Sequence, residues 1–149
     1  MKLEHLAPYL PYGLKAELLD YKCDYIGKQF DEIIGIHEWS KNKDWCLLTA
    51  GGSKPSLDRI KPILRPLSDL TKEIVHNGET FVPADKVCPI DHYIGEEEKR
   101  KVHIMMIESW GAIGDFGSCY FETVTTLISM HFDVFGLIEK GEAVNINTI

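Results

Sequence analysis

Apolar residues recur at steps of three and four through residues 57–74, the stretch with the clearest pattern in the chain. This spacing places the apolar side chains on one side of a helix that faces a core. Its members are Leu57, Ile60, Ile63, Leu64, Leu67, Leu70 and Ile74. Because Pro62 and Pro66 lack amide protons, we expect an extended or 3₁₀ segment as far as Pro66. A regular helix is predicted to follow, capped by Ser68 and ended by Asn77-Gly78.

The first fifty residues contain short apolar and aromatic runs that predict strands. Residues 14–22 and 27–39 form two such runs, and a third covers residues 45–49. Lys41-Asn42-Lys43 separates the second run from the third, which predicts a hairpin with its tip at these residues. Residues 5–13 contain two Pro-Tyr dipeptides and are predicted to pack as an extended arm.

The remaining segments complete an α+β pattern. Residues 50–54 predict a turn, residues 80–82 and 86–87 predict short strands, and residues 143–146 predict an edge strand. Helices are predicted over residues 95–110 and 118–135 from their charge order and apolar spacing. We therefore expect one globular domain over residues 1–149, with an antiparallel β-rich first third and two to three helices packed on it.

Composition places the chain among ordinary globular proteins. The 149 residues are 44% hydrophobic and 26% charged, and no apolar run reaches the roughly 18 residues of a membrane span. The first residues lack the apolar core of a signal peptide, so we expect a cytoplasmic protein with no membrane partner. The four cysteines form no C-x-x-C pair and are predicted to be buried free thiols. They are Cys23, Cys46, Cys88 and Cys119.

Charge is distributed unevenly along the chain, whose net charge is −7. Residues 41–65 carry six basic and two acidic side chains, whereas both flanking segments are acidic. This basic island supplies four candidate macromolecule-binding residues, Lys54, Arg59, Lys61 and Arg65. They are typical either of a solvated surface or of a patch that binds RNA or an acidic protein. The acidic C-terminal half is the alternative binding face, as a mimic of nucleic acid.

Aromatic residues crowd the first 45 positions and permit two interpretations. They could fill the core of a small β-rich half, or exposed members could stack on unpaired bases beside the basic island. The residues concerned are Tyr9, Tyr12, Tyr21, Tyr25, Phe30, Trp39 and Trp45.

No motif with usable spacing predicts catalysis, a metal or a cofactor. Residues 50–54 read AGGSK, but they lack the spacing of a P-loop and Pro55 follows. Histidines and cysteines follow no zinc pattern. The alternative is a small metal-dependent hydrolase or nuclease that uses some of His103, Asp115, His131 and Asp133.

Three segments carry a resemblance to known proteins. LEHLAPYLPYGLK at residues 3–15, LRPLSDL at residues 64–70 and HFDVFGLIEKGEAVNIN at residues 131–147 resemble small proteins encoded by phages and prophages of Bacteroidetes bacteria. That family brings no activity, cofactor or catalytic residue. The resemblance implies a protein that works in a bacterial cytoplasm on phage or host macromolecules.

These observations favour a non-enzymatic accessory protein that binds a host protein or ribonucleoprotein complex. The specific hypothesis is an inhibitor of an RNA-guided nuclease, in the manner of anti-CRISPR proteins, with a possible contact to the guide RNA. A structural or regulatory phage protein is the alternative within the binding class.

Overall fold

The computed structural model describes residues 1–19, 29–39, 44–87, 97, 101 and 121–149. The chain forms two compact units, which are described separately. The first comprises Met1–Leu64 with Leu137–Ile149, and the second comprises Arg65–Gly136. The described residues include helices, a mixed five-stranded sheet and a two-stranded sheet, which confirms the α+β class. The single domain stays a prediction.

The first unit is built on the five-stranded sheet, whose strand order is β3-β2-β1-β4-β7. The strands are β1 Lys15–Leu18, β2 Gln29–Trp39, β3 Asp44–Thr49, β4 Ile60–Leu64 and β7 Val144–Asn145. The pairs β1–β2, β2–β3 and β1–β4 are antiparallel, and β7 lies parallel to β4. The predicted β2–β3 hairpin is confirmed by its pairing, although its tip lies outside the described residues. The predicted edge strand at the C-terminus is also confirmed.

A segment over residues 53–64, here called the closing segment, joins the two ends of the antiparallel part of this sheet. Its first half pairs with the free edge of β3, where Leu47 N–H donates to Pro55 O at 2.9 Å and Thr49 N–H donates to Ser53 O at 3.0 Å. Its second half is β4, which pairs with β1. The strands β1, β2 and β3 and the closing segment are therefore hydrogen-bonded in a closed circuit, here called the barrel, in which residues 46–49 of β3 are paired along their second edge.

The predicted helix after Pro66 is wrong. Residues Ile60–Leu64 form strand β4, and beyond it only a single 3₁₀ turn, Leu67–Asp69, is helical before the next strand. Four of the five β4 side chains are buried. A strand that is buried on both faces lacks the alternation of apolar and polar residues, so its apolar residues can fall at the spacing of a helix. Leu19 N–H donates to Arg59 O at 2.8 Å. Hydrogen-bonded positions alternate along an antiparallel pair, so residues 59 and 61 bond to β1 and residue 62 does not. Pro62 therefore loses no hydrogen bond to β1 by lacking an amide proton.

The predicted extended arm at residues 5–13 is also wrong. A helical turn α1, Leu3–Leu6, continues into a 3₁₀ helix over Ala7–Tyr12. Pro8 stands near the start of the 3₁₀ helix, where no amide donor is required, and its fixed φ suits the turn. Tyr9 is fully buried by this arrangement. The segment ends at Gly13, whose φ is 70°.

The described part of the second unit contains a hairpin and two helices with defined bounds. The hairpin pairs β5, Ile74–His76, with β6, Glu79–Phe81, which confirms the strand predicted at residues 80–82. Asn77-Gly78 forms its turn with φ angles of 52° and 82°. Positive φ at both central residues defines a type I′ turn, so the prediction that this dipeptide ends a helix is wrong.

The helices of this unit whose bounds are described are α2, Pro83–Val87, and α3, Phe121–Ser129, which pack on each other. The strand predicted at residues 86–87 is therefore wrong, because Pro83 begins a helix at its first position. The helix predicted to reach residue 135 ends at Ser129, after which His131 adopts a left-handed φ of 61°. The predicted helix at residues 95–110 lies outside the described residues, except for Glu97 and Lys101, which form an ion pair at 3.3 Å.

Each unit buries its own apolar side chains. In the first unit, Leu14, Leu47 and Leu64 are fully buried. In the second unit, Phe132 is fully buried and Leu70 is 1% exposed. Cys46 is a buried free thiol, as predicted, and the other three cysteines lie outside the described residues.

Candidate nucleic-acid interface

Three of the four predicted binding residues lie on the closing segment of the first unit. Lys54 and Arg59 are exposed, and Lys61 is half-buried. The closing segment is fixed on both sides, since its first half is hydrogen-bonded to β3 and its second half to β1. The backbone therefore holds the three basic residues along one side of the barrel.

The described part of the chain contains no carboxylate within 4.0 Å of the charged nitrogens of Lys54, Arg59 or Lys61. The nearest acidic neighbour in sequence is Asp58, whose pKa is lowered first by a hydrogen bond from the Ser56 side chain and to a smaller extent by Arg59. Across the sheet, Lys61 lies opposite Glu17 in register. Among the described residues none of the three positive charges therefore forms a close ion pair, although Asp58 lies near Arg59 and Glu17 lies opposite Lys61.

Exposed aromatic side chains accompany these charges. Trp45 on β3 is 47% exposed, and β3 packs against the 3₁₀ turn Leu57–Arg59. On the barrel exterior, Phe30 lies opposite Glu17, which in turn lies opposite Lys61. Phe30 is 40% exposed. Both rings are therefore accessible in the unit that carries the basic side chains, which is the arrangement that base stacking requires.

The aromatic residues divide into buried and exposed members. Tyr9 is completely buried and belongs to the core, whereas Tyr12 is 38% exposed. Tyr21 and Tyr25 lie outside the described residues. Sequence composition could not separate the two groups, because separation depends on which face of the barrel each residue occupies.

The fourth predicted residue, Arg65, belongs to the second unit and has a different environment. Its side chain is only 12% exposed, and its Nη1 atom lies 4.0 Å from Asp69 Oδ2. Burial lowers the pKa of Arg65, and the charge of Asp69 acts in the opposite direction. The structure therefore does not place Arg65 on the closing segment with the other three.

A second group of polar residues surrounds Arg65 in the second unit. The rings of His76 and His131 meet edge to face, with their centroids 5.9 Å apart and their planes at 78°. Burial lowers the pKa of His76, and the positive charges of Arg65 and Lys86 lower it further. These residues are far apart in the sequence, and the hairpin and the segment after α3 bring them together. Their spacing in the sequence therefore could not indicate the group.

The residues of the predicted metal-dependent alternative are only partly described. His103 and Asp115 lie outside the described residues, and Asp133 is buried. Among the described residues, no group of three or more His, Cys, Asp or Glu side chains is arranged to hold a metal ion. The predicted turn at residues 50–54 is confirmed, and its Gly51 amide is occupied by Asp31 Oδ2 at 3.0 Å.

Comparison with protein-family models, with curated proteins and with solved structures found no match to this chain. In the described residues, none of the helices has the length and apolar character needed to traverse a lipid bilayer.

Proposed function

We propose that the protein acts by binding single-stranded RNA, without catalysis, through the closing segment and the aromatic side chains beside it. The observation that carries this proposal is the presence of Lys54, Arg59 and Lys61 on one segment, next to a strand with exposed Trp45. Among the described residues none of the three forms an ion pair within 4.0 Å. Cations that follow a phosphate backbone, together with rings that stack on bases, are the usual components of a single-strand binding surface.

The overall charge of −7 limits how such binding works. A net negative protein repels RNA at long range, so attraction must come from local contacts rather than from the field of the whole molecule. Three phosphate contacts to a single strand give a slope of roughly −2 in a plot of log K against log salt concentration. The interaction is therefore modest in strength, and stacking on Trp45 contributes about 1–3 kcal/mol for each base.

For the biological partner, we propose the RNA of a bacterial ribonucleoprotein, specifically an RNA-guided nuclease that the protein inhibits in the host cytoplasm. The support for this step is the resemblance of the terminal and central segments to phage and prophage proteins. An accessory phage protein that occupies an RNA needs no active site. Contact with an acidic protein surface is the competing outcome, because the same cations would serve it.

The direct test measures the affinity of a fluorescent single-stranded RNA by anisotropy at several salt concentrations. In the variant Arg59→Glu/Lys61→Glu we expect affinity to fall at least about tenfold and the salt slope to flatten. The matched control is Lys2→Glu/Lys140→Glu, which makes the same change in net charge at other exposed positions of the first unit. Equal losses in both variants would mean that only net charge matters, and the proposed interface would be wrong.

The stacking component is tested with Trp45→Ala against Phe121→Ala. Phe121 is 84% exposed but lies on α3 in the second unit, so its loss should leave RNA affinity unchanged. Capture from a Bacteroidetes lysate, with sequencing of the bound nucleic acid, tests the partner. Recovery of capsid or tail proteins alone would rule out the inhibitor.

A further inference from the structure

The 3₁₀ turn Leu57–Arg59 of the closing segment carries a carboxylate among the cations of the proposed RNA contact. Asp58 and Arg59 are both exposed. Among the described residues no cation forms an ion pair with Asp58 within 4.0 Å. An aspartate at this position repels phosphate and weakens a contact with the nucleic-acid backbone. A surface that binds phosphate alone gains nothing from it, whereas a surface that also contacts bases can use it as an acceptor.

This turn lies at the end of β3 that carries Trp45. Ser56, the residue before the turn, forms an antiparallel bridge with Cys46, which directly follows Trp45. Cα atoms of the turn lie within 8 Å of Cα atoms of β3. The ring of Trp45 is 47% exposed. An exposed indole and the exposed carboxylate of Asp58 therefore belong to neighbouring backbone segments at one end of the barrel.

Hydrogen bonds hold the Asp58 carboxylate in place. It accepts one from the Ser56 hydroxyl and one from its own backbone N–H, and these bonds, with the nearby charge of Arg59, lower the pKa of Asp58. Ser56 stands at the N-cap position of the turn, but its side chain makes no capping hydrogen bond. An ionised carboxylate offers about four lone-pair sites and no donor. At neutral pH Asp58 is therefore an oriented group that can only accept, with acceptor sites left for a ligand.

A group that only accepts hydrogen bonds discriminates among the four RNA bases. On its Watson–Crick edge guanine presents two adjacent donors, N1–H and N2–H, which match the two oxygens of a carboxylate. Adenine and cytosine present one donor beside an acceptor nitrogen, and uracil presents one donor between two carbonyl oxygens. Each of these three bases therefore places a lone pair against the carboxylate. Stacking and contacts to this edge are the usual means by which proteins recognise unpaired bases in RNA.

We propose that Trp45 and Asp58 form a recognition site for one unpaired guanine of the bound RNA. The indole stacks on the base, the Asp58 carboxylate accepts from N1–H and N2–H, and Arg59 contacts a neighbouring phosphate. The cost of a negative charge beside the phosphates is offset only where guanine is present. This inference rests on the proposed RNA contact and adds a base preference to it.

The test measures the affinity of the intact protein for fluorescent oligouridine RNAs by anisotropy at one salt concentration. The RNAs differ only at one central base, which is guanine, hypoxanthine, adenine or cytosine. We expect guanine to bind about tenfold more tightly than adenine or cytosine, since a good bidentate pair discriminates to this extent. Hypoxanthine keeps N1–H but lacks the 2-amino group, so its affinity should be intermediate, and affinity equal to that of guanine would refute the two-donor contact. Equal affinity for all four RNAs would leave the RNA contact standing and refute guanine recognition, whereas no binding to any of them would refute both.

Two variants and a control assign the preference to the carboxylate. Asp58→Asn replaces one acceptor by a donor, so the preference for guanine over adenine should be lost. Affinity for the adenine RNA should rise slightly in this variant, because a negative charge is removed. Ser56→Ala removes the hydroxyl that positions the carboxylate and should reduce the preference, which provides the test if Asp58→Asn fails to fold. The matched control Glu139→Gln changes the charge equally at another exposed position of the first unit and should keep the full preference. A preference retained in both variants, or lost equally in the control, would show that Asp58 does not contact the base.

Discussion

The turn that joins β3 to the closing segment depends on a carboxylate from β2, and this dependence predicts an unusual response to mutation. Asp31 accepts hydrogen bonds from Gly51 N–H at 3.0 Å and from Glu32 N–H at 2.8 Å. A Cβ atom added at Gly51 would lie 2.6 Å from Asp31 Oδ2. The variant Gly51→Ala must therefore displace the carboxylate and break its hydrogen bond with residue 51.

The size of the effect follows from two opposing contributions. Loss of a hydrogen bond to a charged group costs about 1.5–3 kcal/mol, with the lower end appropriate because this hydrogen bond is exposed to solvent. Gly51 does not have a left-handed backbone, so alanine also stabilises by about 0.4–1 kcal/mol through the unfolded state. We therefore expect Gly51→Ala to destabilise the protein by about 1 kcal/mol. In an Asp31→Ala background the obstruction is gone, and the same change should be neutral or stabilising.

Urea unfolding of the four proteins in this double-mutant cycle measures the coupling between the two positions. Gly52→Ala is the matched control, because Gly52 has a φ of 82° and no atom within 4 Å of an added Cβ. Its cost of about 1–2 kcal/mol comes from backbone strain and should be the same in both backgrounds. If Gly51→Ala is equally destabilising with and without the Asp31 carboxylate, the reasoning from the close approach is wrong.

Three further predictions concern the second unit. The pKa of His76 is lowered by burial and by neighbouring positive charges. The contribution of His76 to folding stability is therefore complete above the pKa of the unfolded chain, about 6.5, and is lost as the pH falls below that pKa. Urea midpoints at about pH 7.5 and about pH 5.5 should therefore differ more for the native protein than for His76→Gln, and an equal difference would contradict the assignment. Phe132→Ala should destabilise by about 3–5 kcal/mol in urea unfolding, because this ring is fully buried, and a loss below about 1 kcal/mol would refute its core role. Gly78→Ala should cost about 1–2 kcal/mol through its φ of 82°, whereas Val75→Ala on the same hairpin, 66% exposed, should cost less by the same measurement.

The barrel strands could be predicted from the sequence because their signals are local. The apolar runs of β2 and β3 are separated by a short charged segment that predicts a turn. Because the two runs are close in the chain, their pairing as a hairpin follows. The closing of the barrel could not be predicted in the same way. Residues 53–56 contain no β-branched residue, and they pair with β3 only because the Gly51-Gly52 turn returns the chain along its edge.

The middle of the chain shows why apolar spacing alone does not identify an element. In β4, Ile60, Ile63 and Leu64 are buried, and because the adjacent Ile63 and Leu64 point to opposite faces, both faces of the strand are covered. A strand with both faces covered has no polar alternation, so its apolar residues can fall at helical spacing by coincidence. The partner β7 comes from the far end of the chain and could not be inferred locally. The two prolines were the local signal, and the extended or 3₁₀ segment that they predicted before Pro66 is confirmed by the 3₁₀ turn Leu57–Arg59 and by β4.

The basic island illustrates the corresponding limit for functional residues. Lys61 and Arg65 are four positions apart, and a count of charges treats them as equivalent. The chain passes from one compact unit to the next between Leu64 and Arg65. As a result Lys61 stays half-exposed on the barrel, while Arg65 is 12% exposed and lies beside Asp69. An exposed lysine keeps its water until a ligand arrives, whereas a desolvated guanidinium needs compensation from a fixed neighbour or from a bound anion. Two residues of the same charge thus lie in two different environments, and their burial, which a count of charges does not contain, distinguishes them.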